Sequence, residues 1–214
     1  MKYHKLVENA KKPNGFWGKM MIKAMNKGHS SLTSWGLEHM NIERTATVLD
    51  IGCGGGKTVD RLCSIVANGK VYGIDYSELS VKSSEKLNSK NILCKKAKIL
   101  QASVSDMPFD DNTFDNITAV ETYYFWPDKE NDVKEVFRVL KQGGTVMLLF
   151  EMLRTDDDPF KWEKVENMLN IKSVTPQEIR AVLESAGFEN INTYTKEGTT
   201  WLCATAQKPK DDEN

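Results

Sequence analysis

Two aspartates and a run of glycines carry most of the chemistry legible in this chain. Asp50, Gly52, Gly54 and Gly56 fall within T-V-L-D-I-G-C-G-G-G-K-T (residues 47–58), and Asp75 ends K-V-Y-G-I-D, 25 residues beyond Asp50. Glycines adopt backbone angles closed to other residues, so the main chain can pass close to a ligand with its N–H groups turned toward it. A carboxylate at about this distance is where nucleotide-binding α/β folds accept hydrogen bonds from ribose hydroxyls. The order Asp, glycines, Asp therefore points to a ligand with a nucleoside-like part. The competing readings are a tight strand-to-helix crossover with no ligand, and an Asp75 that only caps the turn at Tyr76-Ser77.

Such residues need a strand, a turn and a helix to hold them. Val48, Leu49 and Ile51 make a short apolar run of the kind buried on both faces of a sheet, with Asp50 at its carboxyl end. Thr58, Val59, Leu62, Ile65 and Val66 then recur at helical spacing, which aims a helix N-terminus at the ligand. Spacing also separates three nucleotide motifs. A P-loop needs a glycine five positions before Gly56, where Ile51 stands, and the dinucleotide pattern G-x-G-x-x-G puts its third glycine at Lys57. D-x-G-x-G-x-G remains, at Asp50, Gly52, Gly54 and Gly56, with Cys53 inside it.

That stretch resembles motif I of the class I S-adenosylmethionine-dependent methyltransferases. Met107-Pro108-Phe109 with Phe114-Asp115, and E-V-F-R-V-L-K-Q-G-G at 135–144, resemble passages of the ubiquinone and menaquinone biosynthesis type within that family, with Gln142 where the pattern has proline. The resemblance implies S-adenosyl-L-methionine as cofactor, S-adenosyl-L-homocysteine as product, and in-line methyl transfer to a small-molecule acceptor. It also implies an α/β fold: a Rossmann-like three-layer sandwich on a seven-stranded, mostly parallel sheet with the last strand antiparallel. Carried over by position, Gly52, Cys53, Gly54 and Gly56 would approach the amino-acid end of the cofactor, with Asp50 contributing there. Asp75 would hold the ribose; Tyr76, Ser103 and Val104 would surround the adenine; a carbonyl near Val120 would meet the methionine ammonium. Ser103 departs from the pattern, which has an acidic residue there, so the adenine contact loses charge assistance. Asp106 is the other carboxylate within reach, unless it caps the Met107-Pro108 turn.

The fourth strand, Phe114 to Val120, is followed by E-T-Y-Y-F-W-P-D (121–128). Ligands of open parallel sheets bind beyond the carboxyl ends of the strands, so Tyr124, Phe125 and Trp126, with Trp17 from the N-terminal region, are expected to wall the acceptor pocket. Core packing is the alternative for these aromatics. Glu121, Tyr123 and His29 are the candidate bases, needed when the acceptor is an acidic carbon or a neutral hydroxyl. Glu135 and Arg138 are expected to pair on a helix face at i, i+3 and to do no chemistry.

Size and composition bound the rest. The 214 residues suit one α/β domain at 46–207, preceded by an amphipathic helical cap or lid at 1–45 and followed by a polar tail at 208–214. With 29 basic against 30 acidic residues, a polyanionic partner such as nucleic acid is disfavoured. The start is polar, without a signal peptide, and no run is long enough to span a bilayer, which reads as cytoplasmic. Cys53, Cys63, Cys94 and Cys203 form no C-x-x-C pair, so neither a zinc cluster nor a disulfide framework is expected, and no other metal site is. His4, His29 and His39 all fall in the cap; His29, beside Gly28, sits in an expected loop. A non-catalytic cofactor-binding or adaptor protein and a nicotinamide oxidoreductase remain the alternatives of other classes.

Overall fold

The computed structural model describes residues 13–210; residues 1–12, which hold His4 and the start of the expected cap, and residues 211–214 of the expected tail lie outside them. Helices α1 (Gly15–Gly28) and α2 (Ser30–Leu37) come first. They lead into β1 (Thr47–Ile51), α3 (Lys57–Ile65), β2 (Lys70–Asp75), α4 (Glu78–Leu87), α5 (Ser89–Leu93), β3 (Ala97–Gln101) and β4 (Phe114–Val120). The chain ends with α6 (Lys129–Val139), β5 (Leu140–Phe150), α7 (Glu163–Leu169), α8 (Pro176–Ser185), β6 (Glu189–Thr195) and β7 (Leu202–Gln207).

The strands form one seven-stranded sheet in the order β3-β2-β1-β4-β5-β7-β6. Strand β7 runs antiparallel to both neighbours, and the other adjacent pairs are parallel. The α/β architecture expected from the resemblance is the one observed. Winding goes outward from β1 through β2 to β3, then returns to β4 on the other side of β1, where Ile51 pairs with Ala119. That reversal opens a crevice at the carboxyl ends of β1 and β4.

Alternation along β1 explains its unbroken apolar run. Leu49 and Ile51 join the core on one face of the sheet, and Val48 joins Val59 and Leu62 of α3 on the other, all of them buried. Helices cover both faces, so neither set of side chains meets water. At the far end, α8 begins with the capping box its sequence predicts: Thr175 and Glu178 exchange side-chain bonds, with Pro176 in the first turn.

Local sequence predicts one polar helix from Ser77 to about Cys94, a Gly143-Gly144 C-cap on the helix before β5 and a loose tail from Lys208, and the structure redraws all three. The polar stretch from Ser77 to Cys94 is two helices, broken at Asn88, whose buried amide donates to the Gly56 and Ser84 carbonyls at 3.0 Å each. The pair Gly143-Gly144 does not cap α6. That helix ends at Val139, and β5 begins at Leu140 with a register shift, pairing Leu140 with Phe114 and Thr145 with Asn116. Lys208, expected to open a loose tail, instead donates to the Phe137 and Leu140 carbonyls at 2.8 and 2.9 Å, where a cation suits a helix C-terminus. All four cysteines are free, and no helix among the described residues is long and apolar enough to cross a membrane.

Candidate functional site

A cavity of about 410 Å³ opens where β1, β2 and β4 end. Its floor is the glycine turn. Gly52, Gly54 and Gly56 have φ of 69°, 51° and 80°, in the left-handed region that favours glycine. A Cβ on Gly52 would stand 2.8 Å from Thr122 Cβ, so this glycine lets β1 pass against the loop after β4. Over Gly54 the nearest atom to a Cβ would be 3.9 Å away, leaving that part of the turn open to the cavity. Gly56 differs from its expected role: it does not line the cavity, and a Cβ there would meet Asn88 Nδ2 at 2.5 Å and Ser84 Cα at 2.8 Å. It lets α3 and α4 pack closely. Gly55, Lys57 and Thr58 line the cavity in its place, with Cys53.

The two carboxylates face the same space. Asp75 accepts N–H bonds from Gly54 at 2.9 Å and Ser77 at 2.8 Å, which ties the turn to the end of β2. Burial raises its pKa, and these bonds oppose the rise. Asp50, buried at 2% exposure, accepts from the Thr118 hydroxyl at 2.7 Å. Burial pushes its carboxyl up to about 7, held down in part by that bond and raised further by the charge of Asp75. Burial and the same two charges push the Cys53 thiol well up, so it stays protonated and inert. Tyr76, Ser103, Val104 and Val120 also line the cavity. Asp106 does not: it is exposed and bridges back to Ser103 through the backbone.

The loop that carries Ser103 and Val104 is gripped from α6. Glu135 accepts the Met107 N–H at 2.9 Å, and Arg138 donates to the carbonyls of Met107 and Phe109 at 3.2 and 2.9 Å and to Asp111 at 2.7 Å. Glu135 and Arg138 also pair with each other at 2.7 Å, as their spacing predicts. Two passages 28 residues apart thus form one clamp beside the cavity.

Further lining comes from α1, the α1–α2 junction and the segment after β4. Ile22 and Met25 present apolar side chains there, with Phe125, Trp126 and Pro127. Glu121 lies in the left-handed region at φ 59°, accepts the Glu151 N–H and is hydrogen-bonded to Tyr124; burial pushes its carboxyl up to about 8. His29 Nε2 stands 3.9 Å from Glu151 Oε2, and burial lowers the imidazole pKa while that carboxylate opposes the fall. The polar ends of His29, Glu121 and Glu151 lie within 4.8 Å of one another, close enough for the charge of each to govern the others.

Three aromatic expectations need correcting. Tyr123 and Tyr124 sit in a 3₁₀ turn (Tyr123–Phe125), both buried, with rings 5.7 and 5.6 Å from that of Phe150. The Tyr124 hydroxyl accepts the Met152 N–H at 3.0 Å. Neither tyrosine lines the cavity, because the turn directs them into the core, while Phe125 and the buried Trp126, whose ring packs 5.2 Å from that of Tyr123, border the cavity. Tyr123 is therefore not placed as a base, nor Tyr124 as a wall. Trp17 is 45% exposed against Phe16 and is not a lining residue, since α1 turns Ile22 and Met25 inward instead. Sequence reasoning missed Thr33, Thr122 and Arg61, which also line the cavity. Arg61 fastens α3 to α2 by donating to the Ser30 carbonyl and hydroxyl at 3.0 Å each. Only tertiary pairing marks them out.

Comparison with known proteins agrees with this geometry. A family model described as a methyltransferase domain matches residues 49–148. The YdaC methyltransferase of Bacillus subtilis is 28% identical over 85% of this chain and 93% of its own. The ubiquinone/menaquinone biosynthesis C-methyltransferase UbiE of Cronobacter sakazakii is 30% identical, over 73% of this chain and 72% of its own. The chain belongs to the class I S-adenosylmethionine-dependent methyltransferases. Longer members match in part: a sterol 24-C-methyltransferase of Pneumocystis carinii is 27% identical over 72% of this chain but only 42% of its own. The fold matches that of a Haloferax volcanii methyltransferase solved with the Trm112 activator, with TM-score 0.76 at 19% identity over 90% of this chain and 95% of that one. The residues of the cavity are of the kinds that S-adenosylmethionine calls for, an open glycine backbone beside two buried carboxylates.

Proposed function

We propose that the cavity holds S-adenosylmethionine across the ends of β1 and β2, and that its apolar end takes a lipophilic acceptor methylated at carbon. The observation that carries this reading is that the open Gly54 backbone, Asp50 and Asp75 share one cavity with Phe125, Trp126, Ile22 and Met25. Asp75 would accept from the ribose hydroxyls, since its two N–H bonds leave lone pairs free. The Gly52 and Gly54 backbone, with Asp50 and the Val120 carbonyl, would receive the amino-acid end. Tyr76, Ser103 and Val104 would enclose the adenine. When bound, S-adenosylmethionine supplies the activated methyl on its sulfonium.

The chain's own residues supply position and a proton acceptor. Holding the acceptor in line with the methyl can contribute much of the ~7–11 kcal/mol available from restricted motion. An acceptor carbon that gains a methyl must lose its proton. His29 is suited to take it, because burial keeps the imidazole neutral at pH 7 and Glu151 stands ready to stabilise the imidazolium. Glu121 then tunes the charge of that corner. The names of two matched groups, both C-methyltransferases, support carbon as the acceptor atom.

Calorimetric titration with S-adenosylhomocysteine tests the cofactor half, and Asp75→Ala should weaken binding by about ten- to a hundredfold, the loss of charged hydrogen bonds. A screen of hydroquinones, sterols, phenols, amines and thiols, read by S-adenosylhomocysteine release, tests the acceptor half. Turnover on amines or thiols alone would overturn the carbon reading.

A further inference from the structure

The cavity accounts for only one face of α1. Gly18 and Ile22 are buried and Met25 is half-buried, yet Phe16, Met20 and Trp17 are 71%, 52% and 45% exposed. Phe16 and Trp17 meet edge to face at 5.8 Å, so the exposed side chains form a joined apolar patch. Three large apolar side chains side by side on one helix mark a surface that binds something.

Charge says what it binds. Residues 1–28 contain seven lysines and a single acidic residue, Glu8, in a chain whose formal net charge is −1. Within α1, lysine recurs in the sequence at every fourth position, 19, 23 and 27, the spacing of one helical repeat. A helix sequence in which lysines are interleaved with Phe, Trp and Met has the composition of one that lies in a membrane interface.

We propose that α1 docks this methyltransferase on an anionic bilayer surface. Phe16, Trp17 and Met20 enter the headgroup region, and the positive charge of the lysine-rich sequence selects anionic lipid. A nucleic acid would answer the charge equally well, but bases stack on aromatic rings and leave Met20 unexplained. A bilayer accommodates all three side chains. The proposal goes beyond the reading of the cofactor site, because none of these three residues lines the cavity. Its consequence for the enzyme is that the helix lining one side of the cavity also rests on lipid.

Vesicle sedimentation tests it. The full chain should bind phosphatidylcholine–phosphatidylglycerol vesicles, bind phosphatidylcholine vesicles little, and release as salt rises and screens the charges. Phe16→Ser/Trp17→Ser/Met20→Ser should bind anionic vesicles at least about tenfold more weakly, in line with lost apolar insertion. The same variant should keep its thermal midpoint and its S-adenosylhomocysteine affinity, which separates failed docking from failed folding or a wrong cofactor site. The emission lost on Trp17→Phe should shift to the blue when vesicles are added. Absence of anionic-vesicle binding would overturn the proposal, as would binding undiminished in the triple variant. Tighter binding to a duplex or single-stranded oligonucleotide than to vesicles would assign the basic segment to nucleic acid instead.

Discussion

Replacing Asp50 by asparagine tests whether the cofactor site is held at a cost to the fold. The carboxyl is buried and titrates at about 7 in place of its ordinary 3.8. Between those two values the folded chain keeps a proton that the unfolded chain has lost, so stability falls as pH rises. The contribution is whole below about pH 4 and lost once pH has passed through about 7. A rise of roughly three units, at ~1.4 kcal/mol each, puts the upper bound of the loss near 4 kcal/mol. Asparagine carries no charge at any pH, and its carbonyl can still accept the Thr118 hydroxyl. Its amide hydrogens need partners and cost on the order of 1–3 kcal/mol if cavity water does not supply them, but that offset does not vary with pH.

The readout is therefore the change in the stability difference with pH, not its sign at one pH. Thermal melts of ligand-free wild type and Asp50→Asn, followed by circular dichroism from about pH 4 to about pH 8, should diverge in favour of the variant by up to ~4 kcal/mol. At ~2–4 °C per kcal/mol for a chain of this size, the divergence reaches about 10 °C. The same variant should bind S-adenosylhomocysteine more weakly. A stability difference that stays constant across the range would refute the claim that Asp50 ionises near neutrality in the folded protein.

Four further substitutions probe the rest of the site. Gly54→Ala has room for its methyl, so it should cost about 1 kcal/mol for the left-handed backbone yet weaken S-adenosylhomocysteine binding at least about tenfold; calorimetry showing unchanged affinity would remove Gly54 from the cradle. Arg138→Ala frees the loop after β3 and should cost ~1–2 kcal/mol in urea unfolding, since the guanidinium is partly exposed, with faster amide exchange at residues 103–110 as the local signature. Glu121→Gln should slow turnover and leave S-adenosylhomocysteine affinity intact, whereas Tyr123→Phe should change neither; equal turnover in Glu121→Gln and wild type would take Glu121 out of the mechanism.

What the sequence determined by itself is local. Asp50, the glycine turn and Asp75 belong to one strand–turn–helix–strand unit, and its spacing alone places both carboxylates and most of the turn at the cavity. The seven-stranded, mostly parallel sheet with its last strand antiparallel followed from the resemblance, and the α8 capping box from four adjacent residues; the strand order itself is read from the structure. Tertiary structure decided whatever depends on a distant partner. Gly56 packs against Ser84 and Asn88 and does not touch the cavity; Tyr123 and Tyr124 turn toward Phe150 while Phe125 and Trp126 border the cavity; His29, Glu121 and Glu151 converge from three separate segments. Trp17 left the pocket for the surface because the rotation of α1 is set by what Ile22 and Met25 can bury, and a residue's own type does not tell which way its helix will turn.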